Sequence, residues 1–454
     1  MSVIPVRYES LKAILPYMDP NTRFQISLRI PSVSSLESRI PLKIENLKFA
    51  GPFTEVNKVS YHLGVYRDYG RNETPSDVHH MNQRGGSLND IDQYGVIIYP
   101  GVNNVLPGDI DLRTEVHQDH WFNTEESEQD HVQQLRTLKM LLAERLNKEY
   151  IEDDETRNAG ASNETFRQII LNDSVESIQR QIKSIRDRLS AYTNRRNNRI
   201  PPYTPWIQFT RRSPKGVTIQ RVAYNKYLYE ATKTVHTKLF GNRDSSISVK
   251  NLKIDIFDRI LRFPAATVLK IDNLEVTFWN SREFERFKQV IHPSSFPLQQ
   301  LKISSTTIPF FDCRHIIAKE AKSLIIDNNP LEDDSWTPIL LNLNNRRVCL
   351  MNENQRDPPN DYVNLIEDWL ERGRPVGTTF SMGLKNENTA KQCLDNLKQR
   401  ENVLGSTEKQ VQLRINASLM LNVSYGMIDH TSSFLSEYES NLWLRLKVVR
   451  RRSE

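Results

Sequence analysis

The sequence predicts an α+β chain. A small helical module leads, a strand-bearing middle follows with a helical hairpin inserted in it, and a degenerate strand-helix array, leucine-rich-repeat-like, closes the chain. Three observations predict this. An apolar triplet of strand character recurs at Leu252–Ile254, Val268–Ile271, Leu301–Ser304, Ser323–Asp327, Arg347–Met351 and Gln412–Ile415, with helical stretches between. A seam of Val175, Ile178, Ile182, Ile185, Leu189 and Tyr192 repeats every three or four residues. The first 45 residues hold three short apolar stripes punctuated by prolines.

Length and composition bound the rest. At 454 residues the chain exceeds one ordinary domain. With 38% apolar and 26% charged residues, it buries enough surface to fold. Glycine is scarce at 16 residues, which speaks against phosphate-cradling loops as a theme. Cys313, Cys349 and Cys393 are odd in number and lack metal-ligand spacing, so reduced thiols in a cytoplasmic or nuclear protein are expected. The opening MSVIPVRYESLK lacks the charged and apolar regions of a secretory signal, and no run of apolar residues is long enough to span a membrane.

The front module occupies residues 1–45. Tyr8, Leu11, Ile14, Leu15 and Met18 form one helical stripe, and Pro16 interrupts it. Asp19 and Pro20 are the N-cap and first residue of a second helix, which buries Phe24 and Leu28 and ends at Pro31. Ser32 is the expected cap of a third helix carrying Val33, Leu36 and Ile40.

Residues 46–127 read as strands and loops. Val59, Tyr61, Leu63 and Val65 alternate with period two, and Gly95–Tyr99 is a second strand candidate. Residues 128–200 form the hairpin: Val132, Leu135, Leu138, Leu142 and Leu146 mark its first helix, and the seam from Val175 to Tyr192 its return. That seam lasts about two and a half heptads, too short for an independent zipper, so the two helices pair within the chain.

Residues 201–454 make the array. Helical stripes at Phe284–Ile291, Trp336–Leu343, Tyr362–Leu370 and Cys393–Leu397 separate the strands, and Gly373 is a C-cap candidate. The long gap before Gln412 holds room for one more strand near Thr378–Leu384. A strand-plus-helix unit cannot bury both faces alone, so it stacks on its neighbour.

Candidate chemistry is thin. Asp90 with Asp92 and Asp109 with Asp111 are acidic pairs in Asn-rich loops, where Asx turns are the simpler reading than a Ca²⁺ site. His79–His80 and His117 with His120 lack the partners of a zinc site. No nucleophile elbow, Walker loop or dinucleotide fingerprint is present, and no acid–base pair stands out. A non-enzyme without metal or cofactor is expected. From Ser174 to Lys215 ten Lys/Arg face two acids, with Tyr203, Trp206 and Phe209 interleaved. A nucleic-acid interface is the lesser alternative there, because a solvated helix face accounts for most of the charge.

Leu11, Ile14, Leu15, Met18, Asp19 and Pro20 follow the order of an F-box, and the front module resembles that family. Pro41–Phe49, Val59–Gly70, Arg84–Gly95, Pro201–Thr210 and Tyr224–Arg243 are similar to the nematode-expanded F-box C group, which couples such a module to a domain of unknown function. The resemblance implies a substrate-recognition subunit of a cullin-type ubiquitin ligase. Leu11, Ile14, Leu15, Met18 and Phe24 would contact a Skp1-type adaptor, and the array would hold an unidentified protein target. An interaction scaffold with no ubiquitin role is the alternative.

Overall fold

The computed structural model describes residues 8–98, 104–113, 124–157, 164–256, 259–277, 279–305, 312–328, 336–351, 361–384, 386–427 and 442–451. Helices α1 (Tyr8–Ile14), α2 (Pro20–Arg29) and α3 (Pro31–Arg39) precede strands β1 (Lys43–Ala50), β2 (Phe53–Val56) and β3 (Val59–Asp68). Helix α4 (Ser76–Arg84) and the two-residue strands β4 (Asp90–Ile91), β5 (Ile97–Ile98) and β6 (Ile110–Asp111) lead to helices α5 (Thr124–Arg145), α6 (Glu164–Ile170) and α7 (Val175–Arg196). A hairpin of β7 (Thr204–Ser213) and β8 (Gly216–Ala223) is followed by α8 (Leu228–Phe240), β9 (Ile247–Ile254), β10 (Ile260–Leu261) and β11 (Leu269–Val276). Then α9 (Ser281–Lys288), β12 (Gln300–Ser305), α10 (Ile316–Glu320), β13 (Ser323–Asn328), α11 (Thr337–Asn342), β14 (Arg347–Met351), α12 (Tyr362–Arg372) and β15 (Thr379–Leu384) alternate. The chain closes with α13 (Glu387–Lys398) and strands β16 (Val403–Ser406), β17 (Gln410–Arg414), β18 (Leu419–Met427) and β19 (Leu442–Arg450).

Fifteen strands join one mixed sheet in the order β16-β17-β18-β19-β15-β14-β13-β12-β11-β9-β1-β2-β3-β7-β8. Its centre, β1 to β15, is parallel. Both ends are antiparallel meanders. From β9 to β15 each new strand of the large sheet lies beside the last, β10 pairing apart with β6, so the chain advances one way, as a solenoid does. A doubly wound sheet would reverse direction and open a crevice at the reversal.

Register explains the recurring triplet. Leu47, Leu252, Leu274, Leu301, Leu324, Val348 and Phe380 are cross-strand neighbours, each at most 2% exposed. Phe49, Ile254, Val276, Ile303, Ile326, Leu350 and Met382 form the next row. Buried residues of α9 to α13, among them Phe284, Ile317, Leu340, Trp369 and Leu394, share one cluster with these rows, so the helices cover this face. The triplet at Val268–Ile271 is out of phase with the others. In β11 the register partner of Leu252 is Leu274, and Leu269 pairs with Ile247.

Three strands carry a double motif that explains the offset. Leu42/Ile44/Leu47/Phe49, Ile247/Val249/Leu252/Ile254 and Leu269/Ile271/Leu274/Val276 share the spacing two, three, two. The extra residue shifts the alternation, and an asparagine sits at each shift. Asn251 donates to Asn46 and Asn273 donates to Asn251, both at 2.8 Å, making a ladder across β1, β9 and β11. Beside it on the same side run charged rungs, Lys253–Glu275 at 2.8 Å and Lys302–Glu275 at 3.1 Å. The sequence hid the first rung because β1 lies some 200 residues upstream of β9.

The structure redraws the expected segments. The array is not confined to 201–454: β1, from the expected middle region, is its first strand. Gln412–Ile415 belongs to β17 in the antiparallel tail rather than to the parallel array. The expected extra strand near Thr378–Leu384 is β15. Of the single strand expected over Gly95–Tyr99, Tyr99 lies outside the described residues, and among the described ones Ile97 and Ile98 pair, with Ile91 and Asp90.

The hairpin forms as expected. Arg196 near the end of α7 meets Glu128 near the start of α5, so the helices run antiparallel. Leu135, Leu138, Leu141, Ile170, Ile178, Ile182 and Ile185 make its own core. Lys183–Glu73, Ser184–Asp77 and Arg195–Asp92 fasten it to the β3–β5 region. The Gly85–Gly86 pair lets the chain press on β3. A Cβ on Gly64 would lie 2.4 Å from the Gly85 carbonyl oxygen, and both glycines hold positive φ.

Asn251 is the ladder rung bonded on both sides. Asn251→Ala is expected to lower unfolding stability by about 1–3 kcal/mol, two side-chain hydrogen bonds. Urea denaturation measures it, and Asn46→Ala, which removes one, should cost less.

Candidate protein-docking site at the N-terminal helices

The front module builds as its residues dictate, with two differences: Leu28, expected on the buried face of α2, is 50% exposed, and α3 lacks its expected cap. Helix α1 stops at Ile14, and Pro16 follows in a 3₁₀ turn, Leu15–Tyr17. Asp19 caps α2, accepting from the backbone N–H groups of Asn21 at 2.9 Å and Thr22 at 3.4 Å, with Pro20 at the first helical position. Helix α3 opens on Pro31 itself, without a side-chain cap, so Ser32 lies inside the helix. A proline at the first position gives up an N–H that has no intrahelical partner in any case.

What fastens these helices is polar and buried. Arg23, 1% exposed, donates from Nε to Glu37 Oε1 at 3.0 Å, and to the carbonyls of Ile40 and Pro41 at 2.8 Å each. Arg243, just beyond α8, donates to both Glu37 oxygens at 3.0 and 3.1 Å. Burial presses both guanidiniums below their ordinary pKa, and the Glu37 carboxylate opposes this. Asn21 donates to the Val56 carbonyl at 3.0 Å and accepts from the Tyr61 hydroxyl at 2.7 Å. Phe24 meets Phe240 edge to face, centroids 5.9 Å apart.

The five residues of the sequence-derived docking face therefore separate. Phe24 lies in the main core, and Leu15 is fully buried with Leu36 and Ile40. Leu11 and Met18 pack against that second group and stay half-buried. Ile14 is 45% exposed. Two neighbours outside the five, Tyr8 and Tyr17, are more exposed, Tyr17 at 90%. Tyr8 had been assigned to the same helical stripe; Tyr17 was missed because it follows Pro16, where helical periodicity no longer applies.

The other candidate residues are engaged within the fold. Asp90 accepts from the Leu228 N–H and, at 2.7 Å, from the Tyr224 hydroxyl, capping α8 from a distance; burial pushes its carboxyl up. Asp92 holds an Asx turn through the N–H groups of Tyr94 and Val96 at 2.9 and 2.8 Å. Asp109, whose side chain is fully buried, takes Lys233 at 2.7 Å and Arg262. Asp111 pairs with Arg113 at 2.6 Å. His79 meets Gln83 at 2.9 Å, while His117 and His120 lie outside the described residues. No group of three metal-ligating side chains occurs among the described residues. Burial pushes the Cys349 and Cys393 thiols up to about 12, so both stay protonated at neutral pH. Tyr203 tilts against Tyr69, and Phe209 stacks on Tyr61, so these two rings of the basic segment pack inward.

His236 of α8 is buried beside the rings of Phe49 and Phe240. Its Nδ1–H donates to the Arg262 carbonyl, leaving Nε2 to accept from the Thr54 hydroxyl at 2.6 Å. Burial lowers its pKa to about 4.

Two outcomes follow. Glu37→Leu strands two buried guanidiniums and is expected to cost about 3–5 kcal/mol in urea unfolding. His236 binds a proton in the unfolded chain below about pH 6.5 but in the folded chain only near pH 4. Stability at this residue is thus full above pH 6.5 and is lost as pH falls toward 4. Urea midpoints between pH 7 and 5 should drop, and His236→Gln should flatten the slope.

Residues 227–386 match a family model described as Domain of unknown function (DUF3557). The match runs from the N-cap of α8 to the N-cap of α13 and holds every strand of the parallel array except β1. Residues 1–45, which carry the F-box resemblance, lie outside it. No curated protein and no solved structure matches the chain. No helix among the described residues is long and apolar enough to cross a membrane. The chain is thus similar, over about a third of its length, to a domain family of unknown function.

Proposed function

We propose that the chain is a non-enzymatic substrate-recognition subunit of a cullin-type ubiquitin ligase. The front helices dock on a Skp1-type adaptor, and the strand-helix array holds a protein target. It does no covalent chemistry; it raises the target's local concentration beside an enzyme carried elsewhere in the complex. The observation that carries this reading is where apolar surface remains. Five of the twenty large apolar residues exposed among the described residues, Tyr8, Ile14, Tyr17, Leu28 and Ile30, fall within 23 residues of the front module. Helices fixed to the body by buried ion pairs yet apolar outside suit a rigid docking element. Leu11, Ile14 and Met18 supply the accessible part of the F-box-like set, while Leu15 and Phe24 hold it in place.

The burial of Leu15 and Phe24 favours a second reading, a scaffold whose front helices only cap the sheet. One experiment separates the two. Purified Skp1-type adaptor is used to capture the wild-type chain and the double variant Ile14→Asp/Tyr17→Asp. Capture should fall at least tenfold in the variant, while its urea unfolding stays within about 1 kcal/mol of wild type, as exposed positions allow. Wild-type chain that captures no adaptor, where a standard F-box protein does, removes the ligase reading. Unfolding of the double variant leaves the capping reading.

A further inference from the structure

We propose that the outer edge of β8 binds an extended acidic segment of a partner protein, which adds to the sheet as a further strand. The proposal stands apart from adaptor docking.

Strand β8 ends the large sheet, and every one of its eight residues is exposed. It pairs with β7 from Gly216 to Ala223 without a register shift. Its outer side presents alternate backbone N–H and C=O groups, the template for strand addition. Proteins usually blunt such an edge, and the opposite edge is blunted. Strand β16 has four residues, and its register shifts between Val403 and Gly405. Strand β8 has no proline, no bulge and no carboxylate. Its one charge, Arg221, is folded back, with its guanidinium 3.6 Å from the Tyr66 ring centre and Nε donating to Gln208 at 2.8 Å. Val217, Ile219 and Val222 are each more than half exposed. A regular edge without carboxylate, whose one cation is folded back and whose valines and isoleucine are exposed, is the kind that other chains pair with.

Charge selects the occupant. Arg212 and Lys215 at the β7–β8 turn and Lys226 after β8 are cations beside this edge, and the sequence holds no acid between Asp187 and Glu230. A second copy laid against β8 would bring these cations onto themselves, which disfavours self-pairing. Single-stranded nucleic acid needs exposed rings to stack on, and Tyr203 and Phe209 are turned inward while β8 carries no aromatic side chain. A peptide alternating acidic with β-branched residues satisfies the backbone, the Val217–Ile219 face and the charge together.

Fluorescence anisotropy of the full chain with fluorescein-labelled (Glu-Val)₄ tests this. Binding should weaken with salt and exceed that of (Lys-Val)₄ at least tenfold. N-methylation of alternate residues, which removes backbone donors, should reduce it at least tenfold. Ile219→Asp and, separately, Arg212→Glu/Lys215→Glu should do the same with unchanged thermal melts. No anisotropy change up to about 1 mM, or equal binding of the methylated peptide, overturns the proposal. A chain that sediments as a dimer and becomes monomeric on Ile219→Asp assigns the edge to a second copy. Binding of oligo(dT)₂₀ that Ile219→Asp abolishes assigns it to nucleic acid. Either result also overturns the proposal.

Discussion

No strand-helix unit of this chain can bury its own apolar face, and that constraint orders the whole molecule. Each unit offers Leu-x-Ile or its equivalent toward one side, and only the next unit in the same register seals it. Seven cross-strand neighbours from Leu47 to Phe380 satisfy this together, with α9 to α13 laid over them. Stability in such an array is shared between neighbours rather than held in one place. Its ends remain problems, and the two ends are solved differently. One closes on a short, irregular strand and the other stays open at β8.

The front helices are joined to this array by charge as well as by grease. Glu37 lies between Arg23 of α2 and Arg243 beyond α8, the latter 206 positions further along the chain from Glu37. A buried ion triad is no guarantee of stability, since apolar residues of equal volume often do as well. What it supplies is a single seat. Guanidinium groups need fixed oxygen partners, and the Ile40 and Pro41 carbonyls with the Glu37 carboxylate provide them in one arrangement only. The front module therefore presents its outer residues at a fixed angle, which is what a docking element requires and what a loosely tethered one lacks. The aromatic wall beneath it, Phe24, Phe49, Phe240 and Phe263 around the neutral His236, belongs to the same seat.

The parts of the chain that matched a known family and the parts that suggested a role do not coincide. The matched segment is the array, whose apolar rows are covered by helices. The functional suggestion comes from the front helices and from the basic hairpin, both outside residues 227–386.

The amino-acid sequence by itself determined the local elements: the break at Pro16, the Asp19 cap, the antiparallel pairing of α5 with α7, and the recurrence of the apolar triplets. Each rests on a pattern within one or two turns or strands, where side-chain periodicity and backbone geometry act directly. Only the tertiary structure decided that β1 belongs to the array, that Asn46, Asn251 and Asn273 form one ladder, and that Leu15 and Phe24 face inward while Tyr17 faces out. Those facts depend on which distant segment covers which face. Nothing in the spacing near Arg23 foretells Arg243, because a buried charge finds its partner in space and not along the chain.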